Sequence, residues 1–358
     1  MKNKIPRATL VIWGIIVAIV IVMATVNIPR IILYQICTVN SMFYSVLYWI
    51  TFYIMGVAIA HIEIKEENIQ QDISVIHLNW VSGDVQVKKS SNNQIRIVQK
   101  GSQDYPQEQL FSTKIDGDTL YIEDTRGYGI NMFGFQKQEN TDLVLYLPEK
   151  EYQQLNGNFV SANVTVDTCN TDHLYLKTIS GTIFVEKGKC DSIELNTTSG
   201  DISVNHIKTD ESLKMVSVSG AVIATESKVE NDTYAYSASG NININDLHTK
   251  NMKCETISSS IQTEGIFDNV TFSTTYGLVE CTANEPLNQL TVTTVSGDFH
   301  GMIPKENGFT ATYHTVSGTF ESEFETIQDN HMFIYGDKNG MFEFNTSSGS
   351  VTLSALPL

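Results

Sequence analysis

Leu195-Asn196-Thr197-Thr198-Ser199-Gly200-Asp201-Ile202-Ser203-Val204 is followed twenty residues later by Met215-Val216-Ser217-Val218-Ser219-Gly220-Ala221-Val222-Ile223-Ala224. Both stretches carry apolar residues at alternate positions on either side of a Ser-Gly pair. The side chains of a strand alternate between its faces, so each stretch reads as two short strands with one apolar face, hinged at the glycine. Working outward, Ser-Gly recurs at Gly83, Gly181, Gly200, Gly220, Gly240, Gly297, Gly318 and Gly349, with Tyr276-Gly277 and degenerate copies at Ala162 and Ser259. From Ala162 to Gly318 the spacings are 19, 19, 20, 20, 19, 18, 20 and 21 residues. A fixed period of this kind is the signature of a repeat architecture.

The flanks predict the interior. Relative to each glycine, apolar residues fall at minus seven and minus five (Leu174 and Leu176, Ile193 and Leu195, Leu213 and Met215) and at plus two and plus four (Ile183 and Val185, Ile202 and Val204, Ile242 and Ile244). The same parity turns Thr178, Thr197, Ser217, Ser237, Thr256, Thr274, Thr294 and Thr315, at minus three, inward, and also the serine before each glycine. In a stack these would form hydroxyl ladders running from rung to rung. Glycine suits the corner because it accepts positive φ. The Asp, Asn, Thr or Ser that follows it fits local turn bonding. One repeat has two open faces and gains stability only when neighbours cover them. The expected fold is therefore all-β, a β-solenoid of roughly 20-residue repeats over residues 72–358. It is less regular over 84–160, where Ile95–Val98, Leu120–Ile122 and Leu143–Pro148 read as strands, Asp116-Gly117-Asp118 as a turn and 127–135 as a loop or insertion. It lapses again over 319–347, where Gly336–Gly340 reads as a loop near the C-terminal cap.

Before the repeats the sequence is apolar. Residues 8–26 and 41–60 carry no charge, and each is long enough to approach a hydrocarbon core of about 30 Å. Residues 1–61 thus read as a membrane anchor of two transmembrane helices, and 62–71 as a short linker. Lys2, Lys4 and Arg7 predict a cytoplasmic N-terminus. Two crossings would return the repeats to the cytoplasm, and a single crossing would leave them outside.

The net charge of −17, from 23 basic and 40 acidic residues, argues against nucleic acid as a partner, and no basic patch with interleaved aromatics stands out along the chain. The cysteines Cys37, Cys169, Cys190, Cys254 and Cys281 form no CxxC or Cys/His cluster and read as small core residues; Cys169 and Cys190, one repeat apart, could approach each other. No P-loop, nucleophile elbow or dinucleotide fingerprint occurs, so no cofactor is expected. Asp84, Asp201 and Asp298 share a repeat position but sit in distant copies, and His300 and His314 are the nearest histidine pair. At minus two, Val81, Val160, Ile179, Val218, Ile257, Val295 and Val316 point outward as a candidate partner-contact stripe, and Tyr234 and Tyr236 share that outward parity.

The Ser-Gly-Asp-Ile/Val copies at Ser82–Val85 and Ser199–Ile202, with Lys114–Ile122 and Asp142–Pro148, resemble the bacterial "putative adhesin" family of β-strand-repeat proteins, including LiaG-like envelope proteins. The resemblance covers about Asp72 to Leu353. It implies a cell-envelope protein, with the repeats outside the cytoplasm, but no defined chemistry. Three functions are carried forward. The first is a non-catalytic, membrane-anchored envelope protein presenting a binding or sensing surface to an envelope protein or a glycan. The second is a cytoplasmic-face scaffold for a membrane signalling partner, and the third a carbohydrate-active solenoid enzyme.

Overall fold

The computed structural model describes residues 62–126, 140–329, 332–337 and 339–357. The chain divides into two compact units, Met1–Ala60 and His61–Leu358, and every described residue belongs to the second. The two apolar runs expected to span a membrane, and the 127–135 segment, lie outside the described residues. Among the described residues no helix is long and apolar enough to cross a membrane.

Among its described residues the second unit is all-β apart from a short 3-10 turn at Gln107–Gln109. Its turns stack in parallel register. Val222–Thr225 pairs with Ile242–Asn245, Ser227–Val229 with Leu247–Thr249, and Asp232–Ser237 with Asn251–Thr256. Each turn therefore has three short paired segments rather than the two expected. The third wall escapes the sequence pattern because its inward positions are mixed: Ile207, Ser227 and Leu247 are buried at equivalent places. It is reached through a second corner at which His206, Glu226 and Asp246 adopt left-handed φ of 52°, 46° and 52°. The predicted apolar positions at minus seven, minus five, plus two and plus four are buried in one continuous core.

Hydrogen bonds along the Ser-Gly corner give the stacking order without a gap. The N–H groups of Ser180, Ser199, Ser219, Ser239, Ser258, Tyr276 and Ser296 donate to the carbonyls of Val160, Ile179, Thr198, Val218, Ala238, Ile257 and Thr275. The order then leaves the sequence. Ser348 N–H donates to Val295 (3.0 Å) and Ser317 N–H to Ser347 (3.0 Å). The Gly349 turn thus lies between those of Gly297 and Gly318, and the strand Gly340–Thr346 pairs with Gln289–Thr294 on one edge and Phe309–His314 on the other. The N-terminal end has a matching exchange. The strand Val75–Lys89 pairs with Tyr152–Val166 on one edge, and with Thr119–Glu123 and Asp142–Leu147 on the other. The two irregular stretches of sequence are where the chain makes these detours.

Antiparallel strands cover both free ends. Ser112–Asp116 pairs with Thr119–Glu123 through the Gly117-Asp118 turn, and Ile95–Gly101 pairs with Asp142–Leu147. Residues 62–69, expected to be linker, form a strand antiparallel to Ile95–Gly101. At the other end Met332–Tyr335 pairs antiparallel with Phe309–Thr312, and Gly336 (φ 63°) starts the turn after it. Terminal parallel strands would otherwise offer unpaired backbone groups to other chains.

Candidate functional site

The corner is the most ordered feature of the surface. Its glycines serve a purpose other than the one expected. Of the corner glycines only Gly83 (φ 106°) and Gly277 (φ 148°) use left-handed backbone. What the others share is close approach. A Cβ on Gly200 would lie 2.0 Å from the Gly181 carbonyl oxygen, one on Gly220 1.8 Å from Gly200, and one on Gly240 1.9 Å from Gly220. Gly181, Gly297, Gly349 and Gly318 meet the carbonyls of Ala162, Gly277, Gly297 and Gly349 in the same way. Turns stack at strand spacing along this line, and only hydrogen fits between them.

Two hydrogen-bond devices hold the corner, and each departs from expectation. The minus-three hydroxyls do not form a ladder with one another: those of Thr178, Thr197, Ser217 and Ser237 bond to backbone, whereas those of Thr256, Thr274 and Thr315 are buried without a partner. Ser217 Oγ donates to Gly200 O (3.0 Å) and accepts from Gly220 N–H (2.9 Å); Ser237 Oγ repeats this with Gly220 O (2.8 Å) and Gly240 N–H (2.9 Å). From Ser180 onward the serines before the glycines, expected inside, are exposed, because the bend interrupts strand alternation; Ser82 is half-buried. The carboxylates and amides after the glycines bond across turns rather than within them. Asp201 Oδ1 accepts from Ala221 N–H (2.8 Å), Asp298 Oδ1 from Ser350 N–H (2.8 Å), and Asp84 Oδ1 from Asn163 Nδ2 (3.1 Å). These aspartates join neighbouring turns.

On this scaffold the stripe takes a form that chain order conceals. In stacking order the minus-two residues are Ile179, Thr198, Val218, Ala238, Ile257, Thr275, Val295, Ser347 and Val316. Large β-branched residues alternate with small ones, turn by turn. The alternation survives the C-terminal exchange because Ser347 falls between Val295 and Val316. Ile179, Val218, Ile257 and Val295 are 43% to 51% exposed and Val316 is 89% exposed, whereas Val81 and Val160 at the N-terminal end are half-buried. At about 4.8 Å per strand the large residues stand roughly 10 Å apart. The result is an apolar comb on a rigid backbone. Tyr234 is already engaged: its hydroxyl donates to Glu255 Oε2 (2.6 Å) and Lys253 lies over its ring.

Elsewhere, a cleft of about 640 Å³ runs over the outer face of the wall after the corner, with Glu264, Glu280 and His300 among its lining residues. His314 lies on the strand Phe309–His314, in another wall. Among the described residues no three His, Cys, Asp or Glu side chains are placed to hold a metal ion. Cys169, Cys190, Cys254 and Cys281 are buried free thiols. Cys169 Sγ and Cys190 Sγ lie 3.3 Å apart, and this contact, with burial, pushes the Cys190 thiol far up; burial pushes Cys281 up to about 12.

The sequence profile of the Toastrack DUF4097 family matches residues 73–235 and 230–354, nearly the whole β-unit. The chain belongs to this family. Toastrack DUF4097 is thus the family in which the "putative adhesin" resemblance finds its place. Solved structures similar to this Toastrack chain include a "putative cell adhesion protein" from Clostridium sporogenes (10% identity, 82% of this chain and 99% of that one, TM-score 0.23). Others are a "putative lipid binding protein" from Parabacteroides distasonis (14%, 82% and 96%, 0.43) and a "putative adhesin" from Bacteroides fragilis (11%, 82% and 98%, 0.36). At these TM-scores they lend no functional property to the Toastrack chain. No curated protein matches it.

Proposed function

We propose that this Toastrack protein is a non-catalytic, membrane-anchored component of the cell envelope that binds a partner along the Ser-Gly corner. The observation that carries the proposal is the comb, with large apolar side chains on every second turn from Ile179 to Val316. Such a row is costly to leave in water and has no role in the core. The stack beneath it is held by backbone ladders, so binding requires little ordering of the protein. A protein or glycan with apolar groups at a matching interval would seat several contacts at once. Anchoring rests on the apolar runs at 8–26 and 41–60.

The test is recovery of cross-linked partners from cells carrying Val218→Thr with Ile257→Thr. Both sites are exposed and lie in the bend, where Thr198 and Thr275 already occupy the equivalent position, so the stack should keep its thermal midpoint while recovery falls several-fold. Undiminished recovery removes the comb as the contact surface. Sidedness distinguishes the envelope protein from a cytoplasmic-face scaffold: a tag after Leu358 should be lost on protease treatment of intact cells, not of inverted vesicles. The carbohydrate-active alternative has its natural place in the cleft. Polysaccharide cleavage by the wild type, abolished by Glu280→Gln, would overturn the non-catalytic reading.

A further inference from the structure

A second surface has the opposite character. The chain carries a net charge of −17, yet three of its lysines stand in one column on the third wall. Lys189 pairs in register with Lys208, Lys208 with Lys228, and Lys228 with His248. Three ammonium-bearing side chains thus project from adjacent strands, at about 4.8 Å spacing, with an imidazole on the fourth. Like charges directly opposite on neighbouring strands are destabilising. Partial relief comes from Asp210, 3.4 Å from Lys189, and from Glu230 beside Lys228. Lys187 and Lys208 make no ion pair among the described residues.

The column opens at its N-terminal end into a cavity of about 390 Å³. Lys89, Lys150, Lys187, Lys189, Lys208 and His206 supply the cationic side of its lining. Among the described residues Glu149 is its only carboxylate and pairs with Lys89; Lys150 pairs with Asp72, and His206 Nε2 lies 2.7 Å from Glu226. The floor of the cavity is apolar, formed by half-buried Pro148 and by Leu147, Tyr152 and Leu155, which are at least nine-tenths buried and present only their edges; Lys150 lies over the Tyr152 ring. Its volume lies within the range of small-molecule sites, which run from about 300 to 1,000 Å³. Sequence gives no hint of the cavity, because its lysines come from four different turns and stand apart in the chain.

We propose that this cavity binds the phosphate of an anionic amphiphile, with the phosphate against Lys187, Lys189 and Lys208 and the apolar root of the molecule on the floor made by Pro148 and the edges of Leu147 and Tyr152. Lys187 and Lys208, which are unpaired, and Lys189, which Asp210 only partly neutralises, supply the charge that a phosphate needs. The apolar part distinguishes an amphiphile from a free ion. The site is separate from the comb, and either can fail without the other.

The experiment titrates the full-length protein, in a neutral detergent, with dihexanoyl phosphatidic acid, dihexanoyl phosphatidylcholine and inorganic phosphate. Phosphatidic acid should bind, inorganic phosphate at least tenfold more weakly, and phosphatidylcholine not measurably. Lys187→Gln with Lys208→Gln, both exposed and unpaired, should lower phosphatidic acid affinity at least tenfold without moving the thermal midpoint. Lys214→Gln, outside the cavity, should leave the affinity unchanged. Equal binding by the double variant overturns the site. Equal binding of inorganic phosphate overturns the amphiphile and reduces the cavity to a general anion site, and equal binding of phosphatidylcholine overturns the role of charge.

Discussion

The central turns, from Gly181 to Gly277, and the C-terminal turns, from Gln289 to Ala355, solve one packing problem in different ways. In the centre, sequence order and stacking order agree, and the interior is filled by residues such as Leu213, Met215, Ala235 and Ile244 with hydroxyls at the corner. At the C-terminal end the order is exchanged and the interior is aromatic. Phe309 stacks on Phe342 with centroids 5.0 Å apart, and Phe299 lies 5.4 Å from Phe344. Phe320, Phe324, Phe333 and Tyr335 extend the cluster beneath the antiparallel hairpin. A central turn has identical neighbours on both sides and can rely on ladders. A terminal turn lacks one neighbour and must gain more from each side chain it buries.

That contrast is most sharply tested at Phe342. Phe342→Ala should cost about 3–5 kcal/mol, and hydrogen exchange should show the loss in the turns of Phe309–His314 and Gly340–Thr346 while the central amides stay protected. Protection lost evenly along the stack would mean that the two regions are one cooperative unit. Next comes Gly220→Ala in the centre. Its Cβ would fall 1.8 Å from a backbone oxygen that neighbours on both sides hold in place, and the clash should cost about 3 kcal/mol or more. Gly318→Ala, in the last parallel turn of the exchanged end, meets the Gly349 oxygen at 2.2 Å and should cost less, because a turn with one neighbour can shift. Urea midpoints of the two variants check the ranking.

A smaller effect separates two hydroxyls at one repeat position. Ser237→Ala removes a donor and an acceptor bonded at 2.8 and 2.9 Å and should cost about 1–3 kcal/mol. The Thr256 hydroxyl is buried without a partner, so Thr256→Val should be neutral or stabilising by the same measurement. The smallest effect belongs to surface charge. Burial raises the Glu194 pKa, but hydrogen bonds from Lys214 and Asn196 outweigh it and hold the carboxyl below its ordinary value. A depressed folded pKa contributes stability that is present above the unfolded value and lost as pH falls through the folded one. The stability difference between wild type and Glu194→Gln should therefore shrink below about pH 4, and stay under about 1 kcal/mol throughout, since the pair is partly exposed.

Where a repeat lies between two like repeats, the corner and the two walls that flank it are legible in the sequence. Leu174, Ile193 and Leu213 were assigned inward by parity alone, and the minus-three hydroxyls with them. Parity failed where the backbone stops being a strand: Ser199 and Ser219 sit in the bend and face water. The third wall was missed because Ser227 occupies a position that Ile207 and Leu247 fill. The stripe was legible as residues but not as a comb, since its alternation depends on Ser347 standing between Val295 and Val316.

The period, the corner and the core residues of the two walls beside it can be read from the chain alone, because they follow from side-chain alternation and from neighbours about twenty residues apart. The order of turns at the two ends, by contrast, emerges only from packing. The interval of 21 residues from Gly297 to Gly318 continues the repeat, and nothing local forbids stacking the two directly. What excludes it is that the Gly349 turn, with Phe342 and Phe344 before its glycine and Val351 and Leu353 after it, fits between them and is covered on both faces. The lysine cavity belongs to the same class of fact. Lys89, Lys150, Lys187 and Lys208 are unremarked in the chain and become neighbours only when turns are laid one upon another.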